Sequence, residues 1–176
     1  FRPLPDAKDS VRAELGLRAD ERLLIFAGRA AREKNVALLV EALDLLGEPY
    51  RLLLIGAGAK LASHPRIAAV DFETDPRRLV RWLAGGDAFI HANDQEPFFL
   101  VALEALACGL TVIGPPTGGI AEIINEAVGQ RALAATPAAF AEAIDAHFAR
   151  DTEAVSMAAR RKAETDYGWD GVFPRL

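Results

Sequence analysis

The chain has 176 residues, 51% of them hydrophobic and 26% charged, with a formal net charge of −5. That length suits one domain with a substantial core, and so high an apolar fraction excludes a disordered chain. Twenty Lys and Arg against 25 Asp and Glu, with no basic block, argue against a nucleic-acid partner. A single cysteine, Cys108, leaves no internal disulfide framework and no Cys-rich zinc site.

In chain order, Leu23-Leu24-Ile25-Phe26-Ala27 is a short apolar run ending at Gly28, which predicts a buried strand. Val36, Leu39, Val40, Leu43 and Leu46 share a helical face that stops at Gly47. Arg51 to Ile55 is a second strand and leads into Gly56-Ala57-Gly58, while Ile67 to Phe72 is a weaker third. Asp75-Pro76 opens a helix that ends at Gly85-Gly86, with Asp as its cap and Pro at its first position. Ala88 to His91 is the next strand, Pro97 to Cys108 a helix with Glu96 at or beside its cap, and Leu110 to Ile113 a further strand. A short helix near Ile120–Asn125, a short strand near Gln130–Ala134 and two Ala-rich helices complete the chain.

Between Glu96 and Glu122 only Glu104 is charged, but Gly109, Gly114, Pro115, Pro116, Gly118 and Gly119 break the stretch, so a soluble protein rather than a membrane span is expected. Strands alternating with amphipathic helices predict a doubly wound, Rossmann-like α/β sheet, parallel and covered on both faces, as a single domain over 1–176. Ligands of such folds sit at the carboxyl ends of the strands, which directs attention to the residues just after them.

There, Gly28-Arg29 and Lys34-Asn35 place two cations beside a turn and a helix start, a setting for an anion or merely two solvated side chains. Gly56-Ala57-Gly58 lacks the third glycine of a dinucleotide fingerprint, Leu61 standing in its place, and reads as a tight turn. A helix opening at Pro97 would leave the amides of Phe98, Phe99 and Leu100 open to an oxyanion. Glu104 lies two turns further in among apolar neighbours, where a carboxylate needs a partner or a ligand hydroxyl. Pro115-Pro116-Thr117-Gly118-Gly119 forms a second amide-rich mouth. His91 reads as a core histidine, His64 and His147 lack partners at metal spacing, and no metal site is expected. Neither a G-x-S-x-G elbow nor a P-loop occurs.

Gly28-Arg29 with Lys34-Asn35, Glu96-Pro97-Phe98 with Leu100 and Glu104-Ala105, Cys108-Gly109, Gly118-Gly119 with Glu122, and the terminal Tyr167-Gly168-Trp169-Asp170 together resemble the C-terminal, donor-binding half of the family-four retaining glycosyltransferases of GT-B fold. The resemblance implies that Arg29, Lys34 and Glu96 are the catalytic set: the two cations hold the departing diphosphate and Glu96 faces the donor sugar. It implies a donor site of Gly28, Phe98, Phe99, Leu100, Val101, Gly118 and Gly119, with Glu104 on the ribose hydroxyls and the base read near Phe72 and Glu73. The implied donor is a UDP- or GDP-linked hexose, with no separate cofactor and no metal. The implied acceptor is a saccharide or lipid-linked chain of cell-envelope polysaccharide synthesis. The acceptor-binding N-terminal half is expected to be absent from this chain, and any membrane contact to run through it. The expected location is the cytoplasm, at or near the inner face of the membrane. One departure stands out: Phe99 occupies a position where the family commonly has Gly, and a bulky side chain there is expected either to crowd the donor sugar or to alter how closely the backbone approaches it. A degenerate, non-catalytic nucleotide-binding or interaction module is the alternative.

Overall fold

The computed structural model describes residues 1–29, 31–57, 63–95 and 99–168. Among these, six strands, β1 (Arg22–Ala27), β2 (Tyr50–Ile55), β3 (Ile67–Val70), β4 (Ala88–Ile90), β5 (Val112–Gly114) and β6 (Gly129–Arg131), form one sheet in the order β3-β2-β1-β4-β5-β6. Every pairing is parallel. Among the described residues, seven α-helices surround it: α1 (Ala7–Glu14), α2 (Val36–Leu46), α3 (Pro76–Ala84), α4 (Leu100–Ala107), α5 (Gly119–Ile123), α6 (Pro137–Phe148) and α7 (Thr152–Tyr167).

Alternation along β1 explains the layering. Leu23, Ile25 and Ala27 enter one core with Val11, Leu83, Leu106, Ile120 and Ala159, whereas Leu24 and Phe26 enter the other with Leu39, Leu43, Phe140 and Ile144. Helices α2 and α6 therefore cover one face and the remaining five the other. Both faces are dry, so the central strands carry apolar residues at successive positions rather than alternating ones. The doubly wound expectation holds. Among the described residues, no helix is long and apolar enough to cross a membrane.

Local chemistry sets the ends of these elements. Asp75 caps α3 by accepting from the Arg77 amide at 2.9 Å, with Pro76 behind it. Helix α2 stops at Gly47 as its sequence predicts. Three boundaries differ from expectation. The third strand stops at Val70 rather than Phe72, because β2 ends at its partner Ile55 and the Gly56 amide takes the Val70 carbonyl at 3.0 Å. The fifth begins at Val112 rather than Leu110: the Leu110 amide turns back to the Ala105 carbonyl and that of Gly109 to Leu106, a Schellman closure of α4. Helix α4 itself begins at Leu100, not Pro97. Phe99, at its cap, has φ −108° and ψ 79°, and its ring is buried in the core. Glu96 and Pro97, placed by the sequence at the cap and first turn, precede this start and lie outside the described residues.

At the amino edge of the sheet, Asp87 closes the N-terminal segment onto the strands. It accepts from the Leu23 amide at 2.7 Å and pairs with Lys8 at 2.7 Å and Arg12 at 3.3 Å. Replacing Asp87 with Ala leaves the buried Leu23 amide without its acceptor and should cost about 2 kcal/mol in urea unfolding. The exposed Arg18–Asp20 pair provides the control, since Asp20→Ala should change stability by less than about 0.5 kcal/mol.

Candidate functional site

The carboxyl ends of β1, β2 and β3 and the start of α4 enclose a cavity of 370 Å³. Its lining comprises Ala27, Gly28, Arg29, Lys34, Ile55, Phe72, Glu73, Leu79, Phe99, Leu100, Val101 and Glu104. It lies beside the point where the chain order reverses, since α2 leaves β1 on one face and α4 follows β4 on the other.

A glycine makes this cavity possible. Gly56 has φ +85°, and a Cβ there would stand 2.8 Å from both the Gly28 carbonyl oxygen and the Phe72 ring. Only a residue without a side chain lets the turn after β2 press so closely on the turn after β1. The same approach leaves Phe72 with an apolar ring 63% exposed at the cavity wall. Leu100, at the other rim, is 65% exposed.

Arg29 follows β1 directly; its side chain is 78% exposed, with Glu33 at 3.8 Å. Lys34 ends a short 3₁₀ turn (Arg32–Lys34) that closes at Asn35, whose φ of 48° places it in the left-handed region before α2. The Lys34 ammonium stands 5.9 Å from the centroid of the Phe99 ring. Because α4 starts at Leu100, its first-turn amides belong to Leu100, Val101 and Ala102 rather than to Phe98 and Phe99. The first return bond of the helix runs from the Leu103 amide to the Phe99 carbonyl.

Glu104 enters the cavity from one turn inside α4. No described side chain pairs with it, and burial raises its pKa above the ordinary carboxylate value. Burial outweighs the opposing pull of the Phe1 ammonium, and the half-buried acid is available to hydroxyl donors. Glu73, by contrast, is engaged: it accepts from the Asp75 amide at 3.0 Å and pairs with Arg78 at 3.0 Å.

Phe99 does not project into the cavity as an obstacle. It is 1% exposed, and its ring meets the His91 imidazole edge-on at a centroid distance of 4.7 Å. His91 is itself fully buried, stacked on Phe26 at 5.3 Å. Burial and the nearby Lys34 charge push its pKa down to about 3, so it stays neutral at physiological pH. The core-histidine expectation is met.

The structure thus gathers Gly28, Arg29, Lys34, Phe72, Phe99, Leu100, Val101 and Glu104 around one cavity. Gly118 and Gly119 stand elsewhere. Gly118 lies against Asp94, whose carbonyl oxygen would be 2.3 Å from an added Cβ. Asp94 lines a second, polar cleft of 540 Å³ with Arg32, Glu33, Asn35, Ala92 and Gln95. Two expected site residues, Glu96 and Phe98, fall outside the described residues. Sequence reasoning did not single out Ala27, Ile55 or Leu79 as lining. Their signal was position, since Ala27 and Ile55 are the last residues of their strands, but apolar identity made them look like core alone. Among the described residues, no group of three or more His, Cys, Asp or Glu could hold a metal ion.

Comparison with known proteins places this geometry. The chain is 31% identical over 186 residues to D-inositol 3-phosphate glycosyltransferase of Xylanimonas cellulosilytica, a match covering 96% of this chain and 45% of that protein. Its fold superposes with a TM-score of 0.84 on sucrose-phosphate synthase from Thermosynechococcus elongatus, at 27% identity, over 99% of this chain and 47% of the other. It also superposes on Anabaena HepE solved in complex with UDP-glucose, with a TM-score of 0.79 at 20% identity, covering 93% and 49%. The chain therefore spans about half the length of each of these three proteins. The family described as "Glycosyl transferases group 1" matches residues 21–149, and the chain belongs to that family.

Proposed function

We propose that this chain is the donor-binding half of a retaining glycosyltransferase of GT-B type, which takes a hexose from a UDP- or GDP-sugar and passes it to a saccharide or lipid-linked acceptor. One observation supports this above the others: Arg29 and Lys34, from the loop after β1, line a single cavity with Glu104 of the distant helix α4. In this reading the diphosphate sits between the two cations and the first-turn amides of Leu100 and Val101. The Glu104 carboxylate accepts from the ribose hydroxyls, and the base lies along the exposed ring of Phe72. As the sugar leaves, negative charge gathers on the terminal phosphate. Cations and amides fixed before the reaction stabilise that charge without reorganising, and such groups typically contribute about 3 kcal/mol each to the barrier.

The acceptor would be bound by a second domain beyond this chain, and that domain would also carry any contact with a membrane on its cytoplasmic side. Cell-envelope polysaccharide is the acceptor class we favour. Glu96, which precedes α4 by sequence, is proposed to face the donor sugar. Neither a metal nor a separate cofactor has a role in the scheme.

Titration calorimetry with UDP, GDP and ADP tests it. At least one nucleotide should bind, and Arg29→Ala and Lys34→Ala should each weaken it about tenfold or more, as expected for a lost charge-assisted hydrogen bond. Binding that ignores both substitutions would contradict the reading. Indifference of the wild-type chain to every nucleotide would favour a degenerate interaction module instead. By itself the chain should transfer no sugar to any acceptor in a radiolabel assay.

Glu104 yields a prediction with opposite signs for stability and binding. Its raised pKa means that folding favours the protonated acid. The wild type therefore loses stability as pH rises from its ordinary value of 4.5 through the elevated one. Glu104→Gln should be more thermostable than wild type at pH 7, with a gain that shrinks to nothing below pH 4.5. The same variant should bind the nucleotide more weakly than wild type and UDP-free diphosphate equally well. A thermal-shift series over pH, with and without nucleotide, measures both.

A further inference from the structure

The segment 91–95 that follows β4 is held by a relay of side chains bonding to backbone amides two residues on. The Asn93 amide donates to His91 Nδ1 at 3.2 Å, and the Gln95 amide donates to Asn93 Oδ1 at 2.9 Å. A nitrogen that accepts from an amide carries no proton, so the imidazole proton resides on Nε2. Among the described residues, that Nε2 has no hydrogen-bond partner. Phe26, Phe89 and Phe99 surround the ring, at centroid distances of 5.3, 6.2 and 4.7 Å.

A histidine serving only to fill space here would be an expensive choice, since leucine occupies a similar volume with no polar atom to bury. What the imidazole supplies and leucine cannot is the acceptor at Nδ1. Asn93 is itself buried, so the relay runs through the protein rather than along its surface. From the opposite side the loop is closed by Gly118, which has φ +83° and lies against Asp94.

We infer that His91 is a positioning residue: its imidazole fixes the chain leaving β4 by accepting from the Asn93 amide, whose own side chain holds the Gln95 amide, while its ring packs against Phe99, on which the Lys34 ammonium rests. It acts on the cavity only through these neighbours. The position of Phe99 connects the two, for the same ring lies against His91 and within 5.9 Å of the Lys34 ammonium. The bulky residue at this position is then a support for the cation.

The effect on ligand rests on the nucleotide reading proposed above, but the relay itself can be measured without ligand. Three variants separate positioning from packing. His91→Leu fills the space and removes the acceptor. His91→Asn leaves a cavity but offers Oδ1 where Nδ1 stood. Asn93→Ala cuts the second link alone. Amide hydrogen exchange by NMR on the whole chain should show protection of the Asn93 amide falling about tenfold in His91→Leu and retained in His91→Asn. Gln95 protection should fall in both His91→Leu and Asn93→Ala. Nitrogen shifts of the wild-type imidazole should report an unprotonated Nδ1.

UDP affinity should follow the relay, with wild type and His91→Asn above His91→Leu, although packing alone orders stability the other way. Equal protection and equal affinity in His91→Leu and wild type, or a proton on Nδ1, would overturn the assignment. Should UDP fail to bind even wild type, the nucleotide reading falls while the exchange data still decide on His91.

Discussion

The close approach of two turns governs the site. Gly56 lets the end of β2 lie against the Gly28 carbonyl and the Phe72 ring, at distances no side chain would permit. A parallel sheet delivers the carboxyl ends of its strands to one edge, but an edge alone is a ridge of loops. It becomes a concavity because the turns after β1 and β2 collapse together while α4 stands off on the far side. The 370 Å³ between them is bounded by backbone on one wall and by helix on the other. Open backbone and an apolar ring suit a nucleotide better than a crowd of side chains would.

Electrostatics inside this frame follow from where each charge can be tolerated. Arg29 and Lys34 line the cavity, the Arg29 side chain largely in solvent. Glu104 is half-buried, and burial raises its pKa despite the opposing charge of the Phe1 ammonium. Beneath them His91 is neutral, held so by burial and by the Lys34 charge. Were it charged, it would repel Lys34 and lose its acceptor for the Asn93 amide. Two basic side chains, an acid and a neutral imidazole behind them thus share one end of the sheet.

Much of this architecture was legible in the residues. The uniform apolar runs of β1 and β2 announce strands buried on both faces, and Gly47 and Asp75-Pro76 punctuate α2 and α3 by mechanisms that act locally. Helix α1 escaped because only Ala7 and Val11 are buried in it, too few to print a stripe. Pro97 suggested a helix start three residues early, since proline is suited to a first turn whether or not one forms; the buried ring of Phe99 prevailed. At β5 the chain is claimed first by the closure of α4, a contact between Leu110 and Ala105 that no periodicity records. Within the site, charges after strands were readable as such. The apolar lining was not, because Ile55 and Leu79 look the same whether they face a core or a ligand. The relay from His91 to Gln95 left only polar letters in an apolar context, with no sign of which atom bonds to what.

The account stands on the cavity at the ends of β1 and β2 being the place where a nucleoside diphosphate binds. Amide chemical-shift mapping of the chain during titration with UDP and GDP tests that most directly. The predicted result is a contiguous set of perturbed amides at Gly28, Phe72, Leu100 and Val101. Perturbations confined to the opposite edge of the sheet, in the groove lined by Lys8, Arg12 and Asp87, would contradict it.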